Sequence, residues 1–318
     1  MDLIYANSER VDQGVLSAYA FDLSYGAEEN DFAMTIHTAE AVLEAGYFIY
    51  IDNTEYGGIV GSRRASSNSE SITYMGRTWH GVMNSKIIEP DDGENYAVVS
   101  GDANEILSLL ITRMGLSDLF TAKKEAVGID IERYQFRRYC KGYDGIVDML
   151  SANGAKLKIA WKDRMVELSA VPIDDYTESP IDGDTTTLTV EQNEKKVNHL
   201  ICLGKGELSE REVIHLYADQ NGNIGDTQYF FGVDEIAETY ENTNSEDLRS
   251  DGVKRFEELR DNDKAEIMLP ENDVLTYDIG DIVEASDVKT GVVATAAVTQ
   301  KIVRINNGAI STEYKTGR

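Results

Sequence analysis

The sequence predicts a β-rich α+β protein in which strand-rich segments at both ends of the chain enclose an α/β middle. Three observations support this prediction. Residues 1–95 contain many short runs of β-branched and aromatic residues between polar turns. Residues 96–176 combine two amphipathic helical patterns with a hairpin, and residues 177–318 return to strand patterns with one amphipathic helix. The 318 residues, 42% of them hydrophobic, are enough for two or three domains with a sizeable core.

The first segment is predicted to be a set of short strands with one helix. Its strand patterns lie at 31–37, 46–52, 56–62 and 70–76. The stretch 37–46 has the composition of a short helix that ends at Gly46, as helices often end at glycine. Many short strands at such spacing are typical of a small barrel or a sandwich.

The stretch ITYMGRTWHGVMNSKII, residues 72–88, closes this set. We interpret it as a strand that bends at Gly76 and Gly81. Neighbouring side chains of a strand face opposite sides, so one of Trp79 and His80 should lie in the core and the other at the surface. Trp79 is the expected packing anchor, and replacing His80 with alanine should therefore have a mild effect.

The middle segment is predicted to contain two helices and a hairpin. A helix over 102–116 should begin with Asp102 as N-cap and stop at Gly115. A second, shorter helix is predicted within 142–157. The hairpin pairs 156–161 with 165–171 across the turn Lys-Asp-Arg. The polar, turn-rich residues 176–187 then predict a domain boundary.

The last segment returns to strands. Strand patterns occupy 197–206 and 211–231, the latter a hairpin that turns at Asn-Gly-Asn, and several more run to the C-terminus. One amphipathic helix is predicted over 245–261, with Leu248, Val253, Phe256 and Leu259 on its buried face. The turn 219–226 has three spaced calcium-type ligands, but isoleucine stands where an EF-hand needs glycine, so a plain hairpin turn is favoured.

The balance of 57 acidic against 30 basic residues gives a net charge of −27, which disfavours a groove that grips nucleic acid. It suits a secreted protein, a halophile's protein, or a surface that must not adhere to nucleic acid or membrane. Two cysteines are too few for a disulfide framework or a structural zinc site. The first residues, MDLIYANSERVD, lack the features of a signal peptide, and no apolar run is long enough to span a bilayer, so we expect a soluble protein made in the cytoplasm without an export signal.

Candidate catalytic residues are few. Cys140 lies among Arg137, Arg138 and Lys141, which could depress the thiol pKa and make a nucleophile, but no supporting histidine can be identified. Cys202, in an apolar run, is interpreted as a small core residue. The four histidines are isolated in sequence, at His37, His80, His199 and His215, with no metal-ligand spacing among them. The glycine-rich pieces match no phosphate-binding pattern. We therefore assign no catalytic, cofactor-binding or metal-binding residue and expect no enzyme activity and no cofactor.

Four stretches carry a family resemblance. They are 72–88 (ITYMGRTWHGVMNSKII), 211–226 (REVIHLYADQNGNIGD), 229–259 (YFFGVDEIAETYENTNSEDLRSDGVKRFEEL) and the closing 274–317 (VLTYDIGDIVEASDVKTGVVATAAVTQKIVRINNGAISTEYKTG). The chain resembles siphophage tail proteins of the baseplate-hub class, which include the N-terminal part of tail-associated lysins. The resemblance covers essentially all of the chain and rests on structural patterns rather than catalytic signatures.

The resemblance implies a homotrimer in which each subunit contributes two related small β-barrels to the tail tube. These would be residues 1–95 and 177–318, with the α/β domain 96–176 outside the ring. Six barrels would form a pseudo-sixfold ring that adapts the tube to a threefold tip and lets DNA pass during ejection. An acidic lumen would repel phosphates and let the strand slide. Implied partners are the distal tail protein, the tape-measure protein and tip or fibre proteins, and the implied location is the virion tail tip.

Two alternatives remain beside this structural role. The first is an adsorption module that recognises a receptor or a cell-wall saccharide, which the 17 tyrosines favour because aromatic faces stack on sugars. The second, ranked last, is a wall hydrolase that uses Cys140. Tail-associated lysins extend into wall-degrading domains, whereas this sequence stops at Arg318 after the last strand pattern, so we expect no such activity. The sequence does not identify the host, the tail type or the residues that face the lumen.

Overall fold

A computed structural model of the protein describes residues 2–178, 181–182, 187–191, 196–243, 247–260, 264–268, 276–287 and 291–317. The chain divides into two compact units. The larger unit comprises Met1–Leu188 and Glu266–Arg318, and the smaller unit comprises Thr189–Ala265. Residues 179–180 and 183–186 of the predicted boundary lie outside the described residues. Within the described ranges, no helix combines the length and apolar character that crossing a membrane requires.

The chain is mostly β-structure with four α-helices in its described part. The strands are β1 (Leu3–Ala6), β2 (Asp12–Leu16), β3 (Tyr19–Gly26), β4 (Asp31–His37), β5 (Phe48–Tyr50), β6 (Gly57–Ala65), β7 (Ser71–Thr78), β8 (Ile87–Ile88), β9 (Val98–Asp102), β10 (Phe120–Ala122), β11 (Asp130–Gln135), β12 (Cys140–Lys141), β13 (Ala155–Lys162), β14 (Met165–Pro172), β15 (Ile181–Asp182), β16 (Thr187–Glu191), β17 (His199–Leu203), β18 (Val213–Ala218), β19 (Ile224–Gly225), β20 (Ala237–Glu241), β21 (Lys264–Met268), β22 (Ile282–Asp287), β23 (Val292–Asn306) and β24 (Ala309–Gly317). The helices are α1 (Trp79–Asn84), α2 (Ala103–Arg113), α3 (Gly142–Ser151) and α4 (Leu248–Arg260).

The larger unit is built on one eleven-stranded sheet. Its strands run in the order β15-β22-β23-β3-β4-β7-β6-β5-β1-β2, and β24 pairs with β23. Strand β23 therefore lies beside β3, with Val303 opposite Leu23, so the end of the chain completes the sheet that its beginning starts. The predicted β-rich α+β class is confirmed, but none of the sheets in the described residues closes into a barrel.

The core of this sheet follows from the two-residue period of a strand. In β3, Phe21, Leu23 and Tyr25 are buried and alternate with more exposed residues. The Phe21 ring meets the Phe32 ring of β4 edge-on, with 5.4 Å between centroids. Burying side chains of this size contributes about 1.5–3 kcal/mol each to folding.

Helix α2 confirms its predicted cap and stop. Asp102 Oδ1 accepts a hydrogen bond from the Asn104 N–H at 2.9 Å, and its other oxygen accepts from the Val127 and Gly128 N–H groups. The chain leaves the helix through Gly115, whose φ of +67° is the left-handed conformation that glycine adopts easily. Helix α3 is present but ends before the predicted range does.

The hairpin β13–β14 is confirmed, but its turn has two residues instead of the predicted three, because Lys162 belongs to strand β13. Lys162 pairs with Met165, which leaves Asp163 and Arg164 as the two turn residues. Both have positive φ, as a tight two-residue hairpin turn requires.

The predicted helix at 37–46 is wrong. These residues form turns whose backbone groups bond to strand β6 and to the loop that follows it: the Gly46 N–H donates to the Val60 oxygen at 2.8 Å, and the Thr38 N–H donates to the Glu70 oxygen at 2.7 Å. Leu43 is buried, but no apolar stripe accompanies it. A segment this short forms a helix only where packing supports it, and here the sheet takes its hydrogen bonds.

The predicted continuous strand at 72–88 is also wrong. Strand β7 ends at Thr78, whose hydroxyl accepts from the Gly81 N–H at 3.3 Å and caps the six-residue helix α1. Gly81 does not bend a strand; a β-carbon there would overlap the carbonyl oxygen of Asn30. Trp79 and His80 are both buried, so the prediction that one of them lies at the surface is wrong. Neighbouring side chains of a strand point to opposite faces, whereas neighbouring side chains of a helix can share one buried face.

The smaller unit contains a four-stranded sheet in the order β19-β18-β17-β20. Strands β17 and β18 are antiparallel, and β17 and β20 are parallel. Helix α4 covers one face and buries Leu248 and Phe256 with Leu200, Cys202 and Leu216, which confirms Cys202 as a small core residue. The hairpin turn is confirmed too: the Asp219 carboxylate accepts from the Asn221 and Asn223 N–H groups at 2.8 Å, as in an Asx turn.

Candidate functional site

The larger unit contains a set of charged side chains centred on the buried Lys156, Asp281 and Lys301, here called the charge cluster. Its members come from the β5–β6 turn, from β13 and the residues after β14, from the turn before β22, and from β23. They are Glu55, Lys156, Lys158, Asp174, Asp278, Asp281 and Lys301. A charge removed from water is costly unless a partner compensates it, so such a cluster persists only when it is closely paired.

Glu55 and Lys301 form the centre of the charge cluster. The Lys301 Nζ lies 2.7 Å from Glu55 Oε1, and the Tyr25 hydroxyl donates to the same oxygen at 2.6 Å. Burial alone would lower the pKa of Lys301, but the Glu55 carboxylate raises it above its ordinary value. Burial alone would raise the pKa of Glu55, but Lys301 holds it below its ordinary value. Both groups are therefore charged at neutral pH.

Lys156 forms the second centre, and its side chain is only 2% exposed. Its ammonium donates to Asp281 and, at 2.7 Å, to Asp174, and it lies 3.2 Å from Asp278. Burial would lower the pKa of Lys156, but the hydrogen bonds to Asp174 and Asp281 raise it. Asp281 also accepts from the backbone N–H groups of Asp174 and Asp278. These bonds join the hairpin of the middle segment to the turn that precedes the C-terminal strands.

The contacts of the charge cluster indicate a structural role rather than a catalytic one. Each lysine of the cluster donates to at least one carboxylate, so its ammonium is not held as a free base or nucleophile. The bonds instead fix three segments that are more than 100 residues apart in sequence. The cluster therefore supports rigidity of the larger unit.

Trp79 and His80 lie beside this cluster. The Trp79 ring stacks on Trp161 with 5.1 Å between centroids. The His80 ring stacks on Tyr25 at 4.2 Å and meets Tyr143 edge-on at 5.2 Å. Its Nε2 is 4.0 Å from the Glu55 carboxylate, and its Nδ1 has no hydrogen-bond partner among the described residues. Burial lowers the pKa of His80 to about 4, so the ring is neutral near pH 7 and is poorly matched to acid–base catalysis there.

This burial predicts a pH dependence of stability that His80 controls. The pKa of His80 falls from 6.5 to about 4 on folding, so the native state binds fewer protons. The contribution of the neutral His80 ring to the free energy of unfolding is fully present above pH 6.5. It decreases by roughly 3 kcal/mol as the pH falls to 4 and below. In the variant His80→Phe, which keeps a ring between Tyr25 and Tyr143, we expect a flatter dependence of unfolding free energy between pH 7 and 4.5, measured by urea denaturation.

His37 offers the matched control, because its side chain is half exposed, its Nε2 lies 3.2 Å from the exposed Glu70 carboxylate, and its Nδ1 accepts from the Ala39 N–H. His37→Phe should leave the wild-type pH dependence unchanged. An equally steep loss of stability in His80→Phe and wild type would show that His80 does not carry the effect. The burial also changes the expectation for His80→Ala: a substantial loss of stability is now expected in place of the mild effect predicted from the sequence, since a cavity would open between two tyrosine rings.

The hypothesis of an activated Cys140 is contradicted by its surroundings. The thiol is half-buried, and burial raises its pKa instead of depressing it. The Arg137 guanidinium is directed to Asp148 at 2.7 Å, and that of Arg138 lies over the Tyr139 ring. Cys140 is therefore less nucleophilic than an ordinary exposed cysteine.

The smaller unit contains a histidine pair that the sequence did not reveal. His199 Nε2 and His215 Nδ1 are 2.8 Å apart, and His199 Nδ1 is 2.6 Å from Glu235 Oε1. The His199 ring also stacks on Tyr217 at 4.4 Å. The register of β17 and β18 would have predicted this pair: His199 is opposite Tyr217, so His215 lies diagonally across from His199 on the same face of the sheet. Glu235 comes from a separate connection and could not have been placed by that register.

The comparisons with known proteins support one fold. No family model and no curated protein matches this chain. The 43 kDa tail protein of prophage MuSo2 from Shewanella oneidensis is similar over 100% of this chain and 98% of its own, with a TM-score of 0.58 and 11% identity. The prophage tail protein gp18 from Listeria monocytogenes EGD-e is similar over 100% and 94%, with a TM-score of 0.58 and 13% identity.

A third similar structure is the phage P2 baseplate in its activated conformation with Ca. It covers 99% of this chain and 98% of its own, with a TM-score of 0.50 and 10% identity. At identities this low the likeness concerns the fold, and it extends along the whole chain in each case. The resemblance inferred from the sequence is thus confirmed at this level: the chain has the fold of phage tail and baseplate proteins.

Proposed function

We propose that this protein is a structural component of a phage tail tip, at the hub of the baseplate. The observation that carries this proposal is the shared fold over essentially the full length of this chain and of tail and baseplate proteins. In this proposal three copies form a ring that continues the tail tube and adapts sixfold to threefold symmetry. Its partners are the distal tail protein, the tape-measure protein and the tip or fibre proteins.

The domain roles in this proposal are those predicted from the sequence: residues 1–95 and 177–318 supply the two barrel-like tube domains, and residues 96–176 supply the α/β domain outside the ring. Because β23 pairs with β3 in one eleven-stranded sheet, the two tube domains would be joined through that pairing. Barrel closure, which the single chain does not display in its described residues, is then completed between subunits. Among the described strands β2 lies at the edge of the sheet, and an edge strand can pair across a subunit interface.

The charge of the chain fits the passage of DNA without binding it. A net charge of −27 repels phosphates, so a lumen lined with acids lets the duplex slide. The charge cluster fits the same role, because a ring that transmits force during ejection needs rigid subunits. We propose no catalysis, since His80 and Cys140 have pKa values shifted away from what acid–base or nucleophilic chemistry requires.

The oligomeric state tests this proposal. We expect a trimer in analytical ultracentrifugation at micromolar concentration, and a threefold ring at the tail tip in image reconstructions of particles that contain the chain. A species that is monomeric at all concentrations, together with particles that lack a ring of this chain, would overturn the proposal.

A further inference from the structure

The smaller unit presents an exposed aromatic segment, residues 229–233, here called the aromatic loop. Tyr229 is 54% exposed, Phe231 is 64% exposed and Val233 is 91% exposed, and none of them belongs to the core beneath α4. Single exposed apolar residues are common, but three within five residues form a patch. Such patches on a polar surface are typical of binding sites.

The aromatic loop is held by hydrogen bonds at both ends. The Gln228 side-chain amide donates to the Phe230 oxygen at 2.9 Å. On the other side, the Asn198 side chain donates to the Asp234 oxygen at 2.7 Å and accepts from the Ile236 N–H at 2.9 Å. The pair of His199 and Glu235 adds a further bond. A loop fixed before its ligand arrives loses little conformational entropy on binding.

Beside the aromatic loop lies an open depression of about 650 Å³. This volume falls in the range of small-molecule sites. The loop supplies aromatic side chains to its wall. The remaining wall includes hydrogen-bond donors and acceptors, on Lys196, Asp219, Gln220, Asp234 and Arg260. Flat apolar faces and polar groups are therefore presented to the same space.

From this combination we propose that the depression binds an oligosaccharide, with Tyr229 and Phe231 stacking on the sugar rings. A sugar has apolar C–H faces that fit an aromatic ring, and hydroxyls that both donate and accept, as the amide of Gln220 does. A nucleic acid would be repelled by the net charge of −27. An amphipathic peptide helix would need a continuous apolar groove, which a wall that carries cations, carboxylates and amides does not provide.

The proposal is tested with the full-length protein on an array of bacterial wall polysaccharides, capsular polysaccharides and lipopolysaccharide O-chains. We expect binding to at least one class of these glycans. Phe231→Ala and Tyr229→Ala should each weaken that binding about tenfold or more, because each removes one stacking face. Both side chains are largely exposed, so both variants should keep the wild-type unfolding transition.

Leu208 provides the matched control, since it is 93% exposed in the same unit and does not line the depression. Leu208→Ala should bind as wild type does. An array on which wild type binds no glycan, or on which Phe231→Ala and Tyr229→Ala bind as tightly as wild type, overturns the proposal. Ring formation is measured separately: variants that lose glycan binding should still form the trimer, so failure of this site is distinguishable from failure of the tail role.

Discussion

Replacing Trp79 with alanine is expected to lower the free energy of unfolding by about 3–5 kcal/mol, the usual cost of removing a large buried aromatic side chain. The Trp79 side chain is fully buried. It stacks on Trp161 of β13 at 5.1 Å and lies 6.4 Å from the Phe48 ring of β5. The indole therefore joins helix α1 to the main sheet and to the hairpin of the middle segment, and its loss would loosen all three.

The measurement is urea unfolding followed by circular dichroism, with particle assembly as a second readout. Trp79→Phe keeps part of the stack and should lose less stability than Trp79→Ala. Tyr96→Ala is the control for truncation of an aromatic residue, because Tyr96 is 45% exposed and its truncation should cost less than about 0.5 kcal/mol. Equal unfolding midpoints for Trp79→Ala and Tyr96→Ala would contradict the packing role.

The elements predicted correctly are those whose signals are local. Helix α2 has an N-cap at Asp102, a continuous apolar face and a glycine stop, all within 14 residues. Hairpin β13–β14 and the turn at Asp219 have their turn residues between two alternating strands. In such segments the hydrogen bonds and the burial pattern come from neighbours in sequence, so the pattern alone is sufficient.

The errors fall where distant residues decide the structure. Residues 37–46 have a helical composition, but their N–H groups bond to distant partners: Gly46 to Val60 of β6, Leu43 to the Tyr74 hydroxyl of β7, and Thr38 to Glu70 in the loop between these strands. Helix α1 has only six residues and depends on the Thr78 cap and the burial of Trp79. The position of β23 beside β3 joins residues that are about 280 positions apart, such as Val303 and Leu23, and no local pattern predicts such a pairing.

The charge cluster left one signal in the sequence that could have been used. In β23, Lys301 shares the two-residue period of the buried Val303 and Ile305, so it lies on the inward face of the strand. A lysine at an inward position predicts a buried carboxylate partner. The period does not identify that partner, because Glu55 comes from a turn 246 residues away.

Replacing Lys301 with methionine is expected to cost about 3–5 kcal/mol, although the two side chains have similar length. The substitution leaves the largely buried Glu55 carboxylate without its ammonium, and removing one partner of a buried pair is far more costly than removing both. The double variant Glu55→Gln/Lys301→Met should therefore regain much of the lost stability. Urea unfolding of the two single variants and the double variant gives the coupling between the groups.

The pH dependence of Lys301→Met separates this account from simple loss of packing. In wild type, the Glu55 carboxylate raises the pKa of Lys301 above 10.5, and the Lys301 ammonium holds the pKa of Glu55 below 4.5. Both groups are therefore charged, and the pair stabilises the fold, throughout the neutral range. Without Lys301, burial is no longer opposed by that ammonium and raises the pKa of Glu55. The stability deficit of the variant relative to wild type should then shrink from pH 7 to pH 5, as Glu55 takes up a proton.

Lys315 is the matched control for the loss of a lysine from the same sheet. Its Nζ lies 2.7 Å from Glu28, the same distance as in the Lys301 pair, but both side chains are substantially exposed. An exposed ion pair is worth about 0–1 kcal/mol, so Lys315→Met should change stability little and show no recovery at low pH. Equal losses in the two variants would mean that the depth of the Lys301 pair has no energetic consequence. A larger loss of stability in Lys301→Met that recovers on acidification would instead show that the unpaired Glu55 carboxylate is the cause. The ion pair between Glu55 and Lys301 would then be what couples the stability of the β5–β6 turn to that of strand β23.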